Sequence, residues 1–189
     1  DPHCVHRDGS RSPCSDPRGP AGQQPSPEAE MGLQRTGAAA YKNNLENTHR
    51  LDELYRHPHR RFKSVHIAGT NGKGSVAHML ASLLQAAGYK TGLYTSPHLN
   101  DFRERIRING EMVSKNEVVE WVENYRINNE VWKMEPSFFE LTVAMAFDLF
   151  AGHDIDIAVV EVGLGGRLDS TNIITPEVSV ITNIKLDHV

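Results

Sequence analysis

The stretch GTNGKGS at residues 69–75 decides the fold of this 189-residue chain. Before it, Lys63 to Ala68 (KSVHIA) predicts a short strand. After it, residues 74–87 carry apolar side chains at helical spacing, and residues 91–95 (TGLYT) predict a second strand. A strand, a glycine-rich loop, a helix and another strand form a βαβ unit, which is the setting that a phosphate-binding loop requires.

The residue types of the loop suit a phosphate group. Glycines allow backbone N–H groups to converge on phosphate oxygens, and the following helix adds the positive end of its dipole. Lys73 supplies a charge for the β- and γ-phosphates, and Ser75 supplies a hydroxyl for phosphate or Mg²⁺. The spacing is not the common one, because Gly74 separates Lys73 from Ser75, and a ligand-free glycine-rich turn is the alternative. The predicted nucleotide-binding residues are Gly69, Thr70, Asn71, Gly72, Lys73, Gly74 and Ser75.

The rest of the chain predicts an α/β fold. Continuous apolar runs at residues 155–162 and 178–184 have the length of buried strands, and Asn109-Gly110 is typical of a hairpin turn. Capping-box patterns begin at Ser114 and Ser137. In the helix after the loop, the apolar positions are expected to form one buried face: Val76, Met79, Leu80, Leu83, Leu84 and Ala87. We therefore predict a P-loop-type, mostly parallel sheet flanked by helices over residues 31–189.

Composition narrows the class of protein. Residues 1–30 are rich in Pro, Gly, Ser and charge, and they predict a disordered tail whose Cys4 and Cys14 match no zinc-binding spacing. A net charge of −4 argues against a basic nucleic-acid-binding surface. No apolar run approaches the roughly 20 residues of a membrane span, and no signal-peptide pattern is present. We expect a cytoplasmic monomer with small-molecule partners, and neither nucleic acid nor membrane among them.

Three polar side chains follow predicted strands. Glu161 lies at the C-terminal end of the run IDIAVVEV, Ser96 follows the second strand, and His188 follows the last predicted one. Ligands of open α/β sheets gather at the carboxyl ends of the strands, so Glu161 is placed to hold Mg²⁺ on nucleotide phosphates. The alternatives are a turn-capping carboxylate for Glu161, a turn-forming serine before proline for Ser96, and an ordinary surface or core histidine for His188.

Several motifs in order resemble folylpolyglutamate synthase, which is often bifunctional with dihydrofolate synthase and belongs to the Mur ligase superfamily. The motifs are GTNGKGS, YTSPHL, FRERIRINGE, the pair Phe139-Glu140, and VEVGLGGRLDSTN followed by LDH. The resemblance covers residues 34–189. It implies an ATP-dependent amide ligase that adds L-glutamate to dihydropteroate, to reduced folate or to both, through an acyl phosphate.

The resemblance also implies roles for individual residues. Lys73, Glu161 and His188 would be catalytic, and Ser96, Glu161 and His188 would ligate Mg²⁺ beside the ATP. The pterin-type substrate would lie against three segments, whose residues are Thr36, Gly37 and Ala38; Ser137, Phe138, Phe139 and Glu140; and Leu168, Asp169 and Ser170.

The chain stops directly after a predicted strand, and the family continues with a lysine-containing segment and a smaller C-terminal domain. We therefore expect an N-terminal fragment in which the ATP-binding domain is incomplete and the ligase reaction is not completed. Two other functions stay open, namely another Mur-type amino-acid ligase and a non-catalytic nucleotide-binding remnant.

Overall fold

The computed structural model describes residues 44–186, and the fold is an α/β sandwich. Its α-helices are α1 (Glu46–Leu54), α2 (Lys73–Ala86), α3 (Lys115–Trp132) and α4 (Phe138–Gly152). Its strands are β1 (Lys63–Ala68), β2 (Thr91–Tyr94), β3 (Ile106–Ile108), β4 (Glu111–Met112), β5 (Ile157–Glu161) and β6 (Val178–Ile181). Short 3₁₀ turns cover Pro58–Arg61, Phe102–Arg105 and Ser170–Ile173.

The six strands form one mostly parallel sheet in the order β4-β3-β2-β5-β1-β6. Strand β1 is parallel to both β5 and β6, and β2 is parallel to β5. Strands β3 and β4 add an antiparallel hairpin to the edge of β2. Because β1, β2, β5 and β6 run in the same direction, their carboxyl ends meet along one edge, which is where the loop after β1, Ser96 and Glu161 lie.

Helices cover both faces of the sheet, as the apolar runs predict. On one face α2 packs its small residues Ala77 and Ala81 against strand side chains that include Ile67 and Val159. On the other face α4 packs Phe147 and Phe150 against the sheet, and α3 adds Trp121 to the same core. The predicted fold class is therefore confirmed.

The buried face of α2 agrees with the prediction only in part, because Val76, Leu80 and Leu84 pack against the core as predicted whereas other predicted positions are exposed. Met79 and Leu83 are 59% and 68% exposed, whereas Ala77 and Ala81 are buried. Alanines allow the helix axis to approach the sheet closely, so the stripe through Ala77 and Ala81 faces inward and the larger Met79 and Leu83 point away. Hydrophobicity alone misplaces this face because it favours large apolar side chains over small ones.

The predicted turns and caps are confirmed. Asn109 and Gly110 both have positive φ, as a type I′ hairpin turn requires. Ser114 and Ser137 each cap their helix through a reciprocal box with the glutamate three residues later. The two apolar runs form strands shorter than predicted, since β5 ends at Glu161 and β6 at Ile181.

Some predictions fall on residues outside 44–186. These are the tail at residues 1–30, the substrate segment Thr36 to Ala38, and the candidate ligand His188. Within the described range, none of the helices combines the length and apolar character needed to cross a membrane.

Candidate functional site

The candidate site lies where the four parallel strands end. The phosphate-loop segment follows β1, Ser96 lies two residues after β2, and Glu161 is the last residue of β5. The segment 182–185 follows β6 and contacts the same loop. The sheet topology thus brings together segments that are far apart in the sequence.

The loop opens α2 with a glycine in the left-handed region. Gly72 is the N-cap residue at φ 82°, a conformation that costs a side chain-bearing residue energy. The first amides of α2 have no acceptor inside the helix, so those of Lys73, Gly74 and Ser75 point out of its N-terminus. The Lys73 Nζ donates to the Gly69 carbonyl at 2.8 Å, which folds the cation over the loop. A helix N-terminus with a cation beside it is suited to a polyphosphate.

The segment after β6 fixes the first half of the loop. The Thr70 N–H donates to the Asn183 carbonyl and the Asn71 N–H donates to Asn183 Oδ1, both at 3.0 Å. In return, the Thr182 hydroxyl donates to the Asn71 carbonyl at 2.7 Å. The backbone amides of Thr70 and Asn71 are therefore committed within the chain, and the amides free to meet a phosphate belong to the helix end.

Glu161 is a buried carboxylate beside the helix end. It is 4% exposed, and its Oε2 accepts the Ser96 N–H at 3.0 Å. A Cβ added to Gly74 would lie 3.6 Å from the same oxygen, so the glycine leaves the start of α2 open toward the carboxylate. Burial raises the pKa of Glu161, while the Ser96 amide and the charges of Lys73 and Arg105 lower it. The structure thus joins Lys73, Ser96 and Glu161 in one cluster.

This cluster fits a magnesium ion that keeps water and phosphate ligands. Residues 44–186 contain no group of three or more His, Cys, Asp or Glu side chains able to hold a metal ion. Mg²⁺ binds nucleotide sites through one or two carboxylates and the substrate phosphates, and it does not need a full protein cage. A single buried carboxylate with a nearby serine is a donor set of that kind.

Arg105 is a buried cation that the sequence reasoning missed. It is 8% exposed, its Nε donates to His98 Nδ1 at 2.8 Å, and its guanidinium lies 5.4 Å from the centroid of the Phe138 ring. It therefore ties the turn after Ser96 to the start of α4. The sequence offers no signal that separates this arginine from its neighbours Arg103 and Arg107, because its burial depends on side chains from distant segments.

The segment Ser137 to Glu140 begins α4 and faces the end of β5. The Ser137 hydroxyl accepts the Glu140 N–H at 3.2 Å, and Glu140 Oε2 accepts the Ser137 N–H at 2.6 Å. The side chains of Ser137 and Glu140 thus form the hydrogen bonds that cap the N-terminus of α4. Phe139 lies edge-on to Tyr94 and against the backbone of Gly163, where an added Cβ would collide with its ring.

The segment Leu168 to Ser170 closes the loop after β5. Asp169 is 3% exposed, and its two oxygens accept hydrogen bonds from the Gly163, Leu164 and Thr171 amides. Ser170 is buried, whereas Leu168 is 42% exposed. The contact between Phe139 and Gly163 brings this segment beside the start of α4, so two of the three predicted substrate segments are neighbours.

The chain belongs to the family of the Mur ligase middle domain, whose model matches residues 67–189. Its relatives include the dihydrofolate synthase/folylpolyglutamate synthase of Bacillus subtilis, which is 42% identical over 137 residues. That match covers 70% of this chain and 32% of the relative. The resemblance to folylpolyglutamate synthases is thereby confirmed.

Solved structures give the same result. Folylpolyglutamate synthase of Mycobacterium tuberculosis complexed with ADP has a TM-score of 0.77 and 40% identity, covering 86% of this chain and 37% of that one. A folylpolyglutamate synthase complex with AMPPCP and folate has a TM-score of 0.74 and 37% identity, covering 79% of this chain and 38% of that one. The chain therefore spans less than two fifths of the length of each of these relatives.

Proposed function

We propose that the complete protein is an ATP-dependent ligase that adds L-glutamate to dihydropteroate, to reduced folate or to both. The observation that carries the proposal is the cluster of Lys73, Ser96 and Glu161 at the N-terminus of α2, in a chain of the Mur ligase family. The relatives with ADP, AMPPCP and folate support the same ligands for this chain.

In the proposed reaction, a carboxylate oxygen of the acceptor attacks the γ-phosphorus of ATP, and ADP leaves. The glutamate amine then attacks the carbonyl carbon of the acyl phosphate, and inorganic phosphate leaves as the amide forms. The residues 69–75 would bind the phosphates, with the α2 amides and Lys73 stabilising the charge that develops on the transferred group. Ser96, Glu161 and His188 would hold Mg²⁺, which neutralises phosphate charge.

The acceptor would lie on the Phe139 side of the sheet edge. Phe138 and Phe139 place half-buried aromatic rings at this edge, which suits a flat heterocycle, and Leu168 adds a half-exposed apolar side chain. Thr36, Gly37 and Ala38 would complete the wall. This arrangement would hold the acceptor beside the phosphate loop, and such positioning supplies much of the rate of a two-substrate reaction.

A substrate panel tests the proposal. The complete protein is incubated with ATP, Mg²⁺ and L-glutamate, together with dihydropteroate, tetrahydrofolate or a muramyl peptide, and ADP release is followed. We expect glutamate-dependent ADP release with one or both pterin acceptors and none with the muramyl peptide. The same reactions without glutamate control for ATP hydrolysis.

The other outcomes identify the competing functions. Release that requires the muramyl peptide would show a cell-wall type of ligase and would overturn the folate assignment. ATP binding without turnover on any acceptor would show a nucleotide-binding protein that is not a ligase.

A further inference from the structure

The carboxylate of Asp169 is saturated by its own chain. Its Oδ2 accepts the amides of Gly163 and Leu164 at 3.0 and 2.9 Å. Its Oδ1 accepts both the amide and the hydroxyl of Thr171, at 2.9 and 2.5 Å. A carboxylate has about four acceptor positions, so all of them are used. Asp169 therefore acts on a ligand through the backbone that it holds and not through a free oxygen.

The hydroxyl of Thr171 is hydrogen-bonded to both Asp169 and His66. A threonine hydroxyl has one proton, and here that proton is donated to Asp169. The hydroxyl oxygen lies 2.8 Å from His66 Nε2, and because its proton is already used it must accept there. His66 therefore carries its proton on Nε2. Burial lowers the pKa of His66 and outweighs the nearby charge of Asp169, so the ring is neutral and a single tautomer is selected.

His66 lies between the phosphate loop, which follows β1, and the loop after β5, which carries Asp169. It is in β1, three residues before Gly69, and it pairs in register with Val160, the neighbour of Glu161. Its side chain is on the face of the sheet that carries Thr171, away from α2. The hydrogen-bond chain His66–Thr171–Asp169 therefore connects the strand that leads into the phosphate loop with the loop after β5.

The far end of this hydrogen-bond chain contacts the acceptor side. Asp169 holds the amides of Gly163 and Leu164, and the Gly163 backbone lies against the ring of Phe139 so closely that no Cβ fits between them. A shift of Gly163 therefore moves one wall of the proposed acceptor pocket. The phosphate loop itself is held by different contacts, from Thr182 and Asn183.

We infer that His66 is a positioning residue for the acceptor: its Nε2–H, through the Thr171 hydroxyl, orients Asp169, which fixes the Gly163–Leu164 backbone against Phe139. The inference rests on the proposed function, because it names the part of the substrate whose binding depends on His66. It predicts an effect on the pterin acceptor and little effect on ATP.

The test uses paired variants of the complete protein. His66→Leu removes the donor and keeps bulk, whereas His66→Gln places an N–H at about the reach of Nε2. Thr171→Val and Thr171→Ser form the same pair at the second residue. We expect the Leu and Val variants to raise the KM for the acceptor about tenfold, since a buried partner is left unsatisfied. The KM for ATP should stay within about twofold, and the Gln and Ser variants should recover most of the loss.

A control and a direct readout complete the experiment. His153→Leu removes a histidine hydrogen bond elsewhere in the fold, to the Glu117 carboxylate on α3, and should leave the KM for the acceptor unchanged. Nitrogen NMR of the His66 ring should show a protonated Nε2 and an unprotonated Nδ1, and amide exchange at Gly163 and Leu164 should accelerate in His66→Leu. Equal changes in both KM values, or no rescue by His66→Gln, would overturn the inference.

These readouts separate the inference from the proposed function. The ring tautomer and the amide exchange do not require turnover, so they report on the His66–Thr171–Asp169 connection even if the ligase assay fails. A protonated Nδ1, or unchanged exchange at Gly163 in His66→Leu, would refute the connection by itself.

Discussion

At the carboxyl edge of the sheet, Glu161 and Lys73 place opposite charges close to each other and partly or fully out of water, an arrangement that is typical of a ligand-binding site. Glu161 is buried at a strand end with one of its oxygens bonded to the Ser96 amide, and Lys73 folds over the loop beside it. Each is costly to bury alone, because desolvation penalises a charge without a partner. With the proposed polyphosphate and divalent cation bound, the opposite charges would offset one another.

Lys73 is the residue whose loss should cost most activity. Lys73→Met keeps the length of the side chain and removes its charge, so the transferring phosphoryl group loses one preorganised cation. We expect kcat/KM of the complete protein to fall by about 100-fold or more, as for other preorganised groups. Lys63→Met, at the exposed start of β1, is the matched control and should keep near-normal turnover. Comparable activity of the two variants would contradict the role of Lys73.

His66 should also give a measurable pH dependence of stability. Its pKa is lowered in the folded state, chiefly by burial, so the unfolded chain binds the proton more readily. The free energy of unfolding should therefore fall as the pH drops below about 6.5, the ordinary histidine value. His66→Gln lacks this contribution, so the stability gap between wild type and variant should narrow toward acid pH in urea titrations. If the difference in free energy of unfolding between wild type and His66→Gln were constant from about pH 5 to 7.5, the predicted contribution of His66 would be disproved.

At the scale of elements, the two capping boxes have the same geometry and different surroundings. Ser114 begins α3 at the periphery, and Ser137 begins α4 next to Phe139 and Gly163. Both serines satisfy amides at a helix end, which stabilises the helix whatever else the segment does.

The two caps therefore separate stability from binding. Ser114→Ala and Ser137→Ala should each lower the free energy of unfolding by about 1 kcal/mol. Only Ser137→Ala should also raise the KM for the pterin acceptor, because only its helix start lines the proposed pocket. Denaturant titration and steady-state kinetics of both variants check this, and an equal effect on KM would place Ser137 outside the pocket.

At the scale of the molecule, the first and last strands cooperate to shape the phosphate loop. Asn183, after β6, receives the amides of Thr70 and Asn71, after β1. The loop geometry is thus a property of the assembled sheet and not of the GTNGKGS sequence alone.

Removal of the Asn183 side chain should weaken nucleotide binding without abolishing it. Asn183→Ala frees the Asn71 amide, and one partly exposed hydrogen bond is worth about 1 kcal/mol, or about fivefold in affinity. Calorimetric titration of the complete protein with a non-hydrolysable ATP analogue measures the change. Asn128→Ala, which removes an exposed amide on α3, is the control. An unchanged dissociation constant for Asn183→Ala would show that the loop holds its shape unaided.

Local sequence patterns predict most of the helices and strands, whereas side-chain contacts between distant segments cannot be predicted from them. Strand β1 has the predicted bounds, Lys63–Ala68, because the glycine-rich loop directly after Ala68 marks where the strand must end. The buried face of α2 is predicted only in part, because the alanines at 77 and 81 carry little hydrophobic signal. In the site, Lys73 and Glu161 follow from their positions after strands. Arg105 and Asn183 could not be found, since their roles arise from partners such as Phe138 and Asn71 that only tertiary packing supplies.

The order of the strands has a consequence for how the protein is made. Strand β1 lies between β5 and β6, both of which follow it at a long distance along the sequence. During synthesis on the ribosome, β1 has neither neighbour until residues 157–181 have emerged, and Val65 and Ile67 stay without their final strand neighbours until then. Such long-range parallel pairing is slow, and until it forms, the unpaired apolar strand is exposed and prone to aggregation. The phosphate loop therefore takes its final shape only after β6 has emerged, and a nascent chain stalled before β6 would be a substrate for chaperones before it could bind the proposed nucleotide.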